Sequence, residues 1–205
     1  MGESVVVARG VGVELGGAPV LRGVDLTVAA GEVVAVVGDN GAGKTTLLRC
    51  LAGLQRAAGS VGVLGRPPVD APEFWRDVVL VGDEPAWYPG LTVREHLELM
   101  HAVHGPGRLE VREGLELFGL AGRADRAPSS LSTGQRQRLS LAMALLRPSR
   151  LLLLDEPERG LDAAFRERFA GMLAEYAADG GAVVMATHDS RFAEGARHVT
   201  LAAAA

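Results

Sequence analysis

The sequence predicts an α/β fold in which a parallel-sheet core carries an N-terminal antiparallel β layer and an inserted helical lobe. Three observations predict it. Apolar runs alternate with stretches of helical period early in the chain and again from residue 151 onward, as a parallel sheet covered by helices requires. A glycine-rich loop at residues 38–45 joins an apolar run to a helical one. Residues 92–146 are mostly helical in period, with a break at Pro106 and Gly107, and read as a lobe set between strands.

The elements follow in order. Short β-like runs at residues 5–9, 11–15 and 26–29 are separated by Gly10, by Gly16 and Gly17, and by a turn at Ala30 and Gly31, which predicts the antiparallel layer. Residues 32–37 read as a buried strand, and the helix after the glycine-rich loop is expected to end near Ala52. Strands are expected near 61–64 and at 78–81, then the helical stretch, then a strand at 151–154, a helix at 165–176, and strands at 182–186 and 198–201. Residues 202–205 read as a frayed end.

Composition bounds what such a chain can do. The 205 residues, 48% hydrophobic and 22% charged, suit a globular protein that buries roughly 70% of its unfolded surface. A net charge of -4 without any run of Lys or Arg gives no footprint for nucleic acid, so none is expected as a partner. The longest apolar stretches fall far short of the roughly 18 residues that a membrane span needs. Residues 1–10 lack a charged-then-apolar leader, and the single Cys50 cannot form an internal disulfide, which together suit a reducing cytoplasm. Cys50 itself is expected to fill core space.

Residues 38–45 fit the phosphate-loop pattern G-x-x-x-x-G-K-[ST], which predicts a P-loop NTPase parallel sheet core and a grip on a nucleoside triphosphate. Gly38, Gly41 and Gly43 allow close backbone approaches, so the N–H groups of this loop, Asn40 and Ala42 included, can turn inward as an anion nest at a helix N-terminus. Lys44 supplies a mobile positive charge for the β- and γ-phosphates, Thr45 a hydroxyl for Mg²⁺, and Thr46 a donor for the α-phosphate. Further on, four leucines at 151–154 end in Asp155 and Glu156, as when a buried strand delivers acids to a site at its tip. Asp155 would hold Mg²⁺ opposite Thr45, and Glu156 would polarise or orient the attacking water. An acidic pair after a strand also suits a solvated turn; pairing with the phosphate loop favours the site.

A third motif, Leu131-Ser132-Thr133-Gly134-Gln135, precedes a long helical run. Ser132 can cap that helix, with its hydroxyl and the Gly134 N–H facing outward as a second anion site. The stretch resembles the L-S-G-G-Q signature of the ATP-binding-cassette (ABC) ATPases, and the chain matches that family in motif order from Val5 to His198. The resemblance implies ATP and Mg²⁺ as cofactors and a division into a nucleotide-binding core at 1–84 and 148–205 and a helical lobe at about 85–147. It implies that a second ATPase subunit packs head to tail, so that Ser132, Gly134 and Gln135 of one protomer close the ATP of the other, a homodimer on ATP binding. Glu156-Pro157-Glu158-Arg159-Gly160-Leu161-Asp162 resembles the run from the catalytic glutamate to the dimer-contacting D-loop, with Asp162 as its acid. Thr187-His188-Asp189 resembles the switch-histidine loop, in which His188 reads the γ-phosphate. His96, His101, His104 and His198 are taken as surface or packing residues.

By this resemblance the chain is an ATP-hydrolysing subunit at the cytoplasmic face of the cell membrane, powering a separate transmembrane permease, with export favoured. Two other readings stay open: a degenerate cassette that binds ATP as a structural partner, and a soluble ABC ATPase outside transport. Three positions depart from the family pattern. Leu15 stands where an aromatic usually stacks on adenine, Asp83 where a glutamine touches Mg²⁺ and links the lobes, and Thr133 replaces the first signature glycine, either crowding the γ-phosphate or adding a donor. Trp87 and Tyr88 either anchor the permease's coupling helix or pack inside the lobe.

Overall fold

The structure, a computed structural model, describes residues 3–82, 87–189 and 191–202. It opens with two long strands, Ser4–Leu15 (β1) and Ala18–Ala29 (β2), followed by Val33–Val37 (β3), the helix Lys44–Leu51 (α1), Ala58–Val63 (β4), the short helix Pro72–Asp77 (α2) and Val78–Val81 (β5). Helices Val93–His104 (α3), Val111–Leu117 (α4) and Thr133–Leu145 (α5) come next. Strand Leu151–Asp155 (β6), helix Ala163–Ala178 (α6), and strands Ala182–Ala186 (β7) and Arg197–Thr200 (β8) complete the order.

Two sheets result. The order β2-β1-β4 is antiparallel, and β5-β6-β7-β3-β8 is parallel throughout. Strand periodicity assigns the two faces of the parallel sheet. Val34 and Val36 of β3, Leu151 and Leu153 of β6, and Val184 of β7 share one apolar core with α1 and the antiparallel layer. Ala35, Leu152, Leu154, Val183 and Met185 face the other core, shared with α3, α4, α5 and α6. The two-sided burial explains why these strands read as unbroken apolar runs rather than alternating ones.

Several boundaries differ from the expectations above. Gly10 does not break β1. It sits at φ +58° in a register shift between Ala8 and Val11, and its N–H donates to Asp25 Oδ1 at 2.7 Å, so the strand runs on through a bulge. The Gly16–Gly17 break is a two-residue hairpin turn with both φ values positive. β2 begins at Ala18 rather than residue 26, because residues 18–25 mix polar and apolar types that only pairing with β1 makes a strand. Glu32 lies outside β3: its carboxylate accepts the Ala29 N–H at 2.9 Å and pairs with Arg197, fixing the turn into the sheet. The helix α2, started by Pro72, is too short for its period to show in sequence. His96 is fully buried, its Nδ1 donating to the Thr92 carbonyl at 2.7 Å and its Nε2 accepting the Tyr88 N–H at 3.0 Å. Cys50 is buried, and burial pushes its thiol up to about 11, which leaves it inert.

Candidate functional site

The site is built on the α1 N-terminus and the tips of β6 and β7. Gly43 caps α1 at φ +91°, and a Cβ there would stand 2.6 Å from Leu21 Cδ2 and 2.9 Å from the Val20 carbonyl. The glycine is therefore required twice, by its left-handed backbone and by the closeness of β2. Lys44 is buried, and its Nζ donates to the carbonyls of Gly38 at 2.7 Å and Asp39 at 3.0 Å, pinning the loop around the ammonium. Thr45 and Thr46 occupy the first turn, where N–H groups have no intrahelical acceptor.

Parity along β6 decides where its acids go. Asp155 lies in register with Leu151 and Leu153, on the α1 side of the sheet. One open cleft of about 270 Å³ is lined by Val20, Asn40, Gly41, Gly43, Lys44, Thr45, Thr46, Asp155 and Glu156. Five phosphate-loop residues, the adjoining Thr46 and both acids of the second motif thus meet in space. Glu156 has φ +45°, uncommon for a residue with a side chain, and donates its N–H to the Ala186 carbonyl at 2.9 Å. His188, whose side chain is 60% exposed, holds Nδ1 3.4 Å from Glu156 Oε1.

Behind the cleft lies an acid that the motif reading left without a role. The Glu158 side chain is only 3% exposed; its Oε1 accepts the Thr187 hydroxyl proton and stands 3.9 Å from His188 Nδ1, while Oε2 is buried without a hydrogen-bond partner. Burial pushes its carboxyl up, against the pull of the Thr187 hydroxyl and the nearby histidine. The Asp189 N–H donates to Thr187 Oγ1 at 3.0 Å, and Arg166 of α6 holds Asp189 Oδ2 at 2.9 Å, so the His188 loop is tied on both flanks. Burial would raise the Asp189 carboxyl, but the Phe192 and Arg191 N–H groups with Arg166 outweigh it and hold it below the usual range.

The second anion motif stands apart from this cleft. Ser132 caps α5 in a reciprocal box, its Oγ accepting the Gln135 N–H at 3.2 Å and the Gln135 Oε1 accepting the Ser132 N–H at 3.0 Å. Gly134 touches the segment after Glu156 in its own chain: a Cβ would lie 2.4 Å from the Gly160 carbonyl. Gln137 Nε2 donates to the Pro157 carbonyl at 3.2 Å, and Asp162 caps α6 while pairing with Arg138. The Phe165 N–H and Arg138 hold the Asp162 carboxyl below the usual range. Ser132, Gly134, Gln135 and Asp162 do not line the cleft.

Leu15 is 47% exposed at the end of β1 and does not line the cleft; Val20, across the hairpin, does. Val20 had no signal in sequence, because the β2 start was itself illegible. Asp83 lies outside the described residues. Among the described residues no cluster of three or more His, Cys, Asp or Glu forms a metal cage. The oxygen donors of Thr45 and Asp155 in one cleft suit Mg²⁺, which commonly completes its shell with substrate phosphates and water.

A second groove, of about 200 Å³, runs between the β5 edge and the helices, lined by Val79, Leu80, Val81, Trp87, Met100, Met143 and Arg147 among others. Trp87 is half-buried against the core and edge-on to His96 at 5.6 Å, whereas Tyr88 is exposed. Trp87 thus packs in part against the helical core, and Tyr88 does not. No described helix is long and apolar enough to cross a membrane.

Comparison with known proteins agrees with this geometry. The family model described as "ABC transporter" matches residues 21–159. The chain is 39% identical over 191 residues to the "Cytochrome c biogenesis ATP-binding export protein CcmA" of Mesorhizobium japonicum, covering 93% of this chain and 95% of that one. It is 44% identical over 183 residues to the "Fe(3+) ions import ATP-binding protein FbpC" of Streptomyces avermitilis, covering 86% of this chain and 53% of that longer one. The solved "Structure of ATP binding subunit of ABC transporter" superposes with a TM-score of 0.85 at 28% identity, covering 96% of this chain and 85% of that one.

Proposed function

The chain belongs to the ABC transporter ATP-binding family, ATPases coupled to transport, and from that premise we propose that it hydrolyses ATP in the cleft beside Lys44 to drive export through a separate membrane permease. The observation that carries the proposal is the meeting of phosphate loop, Asp155 and Glu156 in one cleft, with His188 3.4 Å from Glu156. The loop N–H groups and Lys44 bind the phosphates, and Thr46 adds a donor at the α-phosphate. Thr45 and Asp155 would hold Mg²⁺, which would supply positive charge to offset that of the phosphates. Glu156 orients water for in-line attack, and His188 contacts the γ-phosphate. The exposed Leu15 offers adenine an apolar contact, and Asp83 is assigned as a further metal oxygen.

The Ser132–Gly134 helix tip and Gln135 close the ATP of a second copy, with Asp162 at the same junction. Support comes from the position of these residues at the α5 N-terminus and from their absence from the chain's own cleft lining. The proposed division is a nucleotide-binding core at 1–84 and 148–205 and a helical signature lobe at about 85–147. The groove bearing Trp87 receives the permease at the cytoplasmic membrane face. Export is favoured because the alignment with the CcmA export protein runs along nearly all of both chains; the matched FbpC is an import protein.

The test is Glu156→Gln. The wild type is expected to turn over ATP with Mg²⁺, and the variant to bind ATP, lose at least about a hundredfold in hydrolysis and run as a dimer. Equal hydrolysis, or a variant that stays monomeric with saturating ATP and Mg²⁺ beside its permease, would overturn the reading.

A further inference from the structure

The His188 loop is bordered by two acids of different character. Glu156 lines the cleft, whereas Glu158 is sunk behind it and lines no part of the phosphate site. A buried carboxyl without full hydrogen bonding costs free energy and is retained where it has work to do. Oε1 of Glu158 is engaged by Thr187, the residue immediately before His188, and the same oxygen stands within ion-pair distance of the imidazole Nδ1.

We propose that Glu158 is the positioning residue of His188: through the Thr187 hydroxyl and its own approach to Nδ1, it sets the ring so that Nε2 faces the triphosphate, leaving Glu156 to the attacking water. The division of labour follows from chemistry. An imidazole whose Nδ1–H is held by a carboxyl presents Nε2 on its opposite side, the logic by which an acid orients a catalytic histidine. Glu156 Oε1 also approaches Nδ1, at 3.4 Å, but Glu156 lines the cleft and its second oxygen remains for the water, whereas Glu158 faces the His188 loop from behind. The Glu158 backbone also belongs to the segment that meets α5: Pro157 accepts from Gln137, and Gly160 abuts Gly134. The seating of the signature helix is thereby connected, through Glu158 and Thr187, to the ring of His188.

This inference rests on the reading of the cleft as an ATP-hydrolysing site, so its test combines turnover with a measurement that needs none. In the full chain labelled with ¹⁵N in its five histidine rings, the signals removed by His188→Gln report His188. Glu158→Gln and Thr187→Val are each expected to shift those signals away from the wild-type Nδ1–H pattern. Each is also expected to lower kcat about tenfold with KM for ATP within about twofold. In a His188→Ala background Glu158→Gln should add no further loss. Unchanged His188 ring signals in Glu158→Gln would overturn the proposal even if turnover fell. So would an equal loss with and without His188, or a loss carried by KM. A wild type without ATP hydrolysis would defeat the reading of the cleft instead, and the ring signals would still decide the role of Glu158.

Discussion

Glu156 holds φ +45°, a conformation that costs a residue with a Cβ about 1 kcal/mol or more and that glycine adopts freely. Glu156→Gly should therefore abolish ATP hydrolysis while leaving the unfolding free energy equal or higher by up to about 1 kcal/mol, measured by denaturant unfolding. Glu158 makes the opposite kind of sacrifice, since burial raises its carboxyl above the ordinary value of 4.5. The unfolded chain releases that proton first, so the stability contributed by the protonated acid is complete below about pH 4.5 and is lost as pH rises through the higher folded value. Glu158→Gln, which cannot ionise, should be more stable than wild type at pH 7 in denaturant unfolding, with the gain vanishing toward pH 4.5. Greater stability with slower turnover would mark the acid as kept for function. The motif residues Lys44, Thr45, Asp155 and Glu156 were legible because their chemistry depends on type and spacing. Glu158 and Val20 were not, because each becomes informative only through a neighbour distant in sequence.

At the scale of elements, helix ends carry the chemistry. α1 is capped by Gly43 and α5 by Ser132, and the N–H groups of a helix's first turn have no intrahelical acceptor. The Ser132 box supports its own helix, so Ser132→Ala should destabilise the chain by about 1 kcal/mol in denaturant unfolding and also weaken ATP-driven dimerisation, seen by light scattering. Loss of stability alone would leave Ser132 as a cap only. Strands with both faces buried, β3, β6 and β7, were legible as apolar runs. β2 was half-missed because Gly23, Asp25 and the polar positions of residues 18–25 conceal a strand that exists through its ladder with β1. α2 was missed because six residues hold less than two helical turns.

Across the whole molecule, α6 joins the helical segment to the sheet. Phe165 and Phe169 meet Phe118 at 5.8 and 6.3 Å, and Phe169 stacks on Phe192 at 6.1 Å, just beyond the His188 loop. Arg138 of α5 lies 4.1 Å over the Phe165 ring while pairing with Asp162. Phe169→Ala should cost about 3 to 5 kcal/mol, read as one cooperative unfolding transition shifted to lower denaturant. Two separate transitions would show that the segment and the sheet do not share one core. By itself, the sequence determined the family, the alternation of strands and helices, and the phosphate-loop motif, because periodicity and motif spacing are local properties of the chain. Only the tertiary structure decided which acid faces the cleft and which lies behind it, why Gly43 and Gly134 admit no Cβ, and how His188 is held. Those facts depend on backbones and side chains that meet across sheets and loops, and no local pattern encodes such distances.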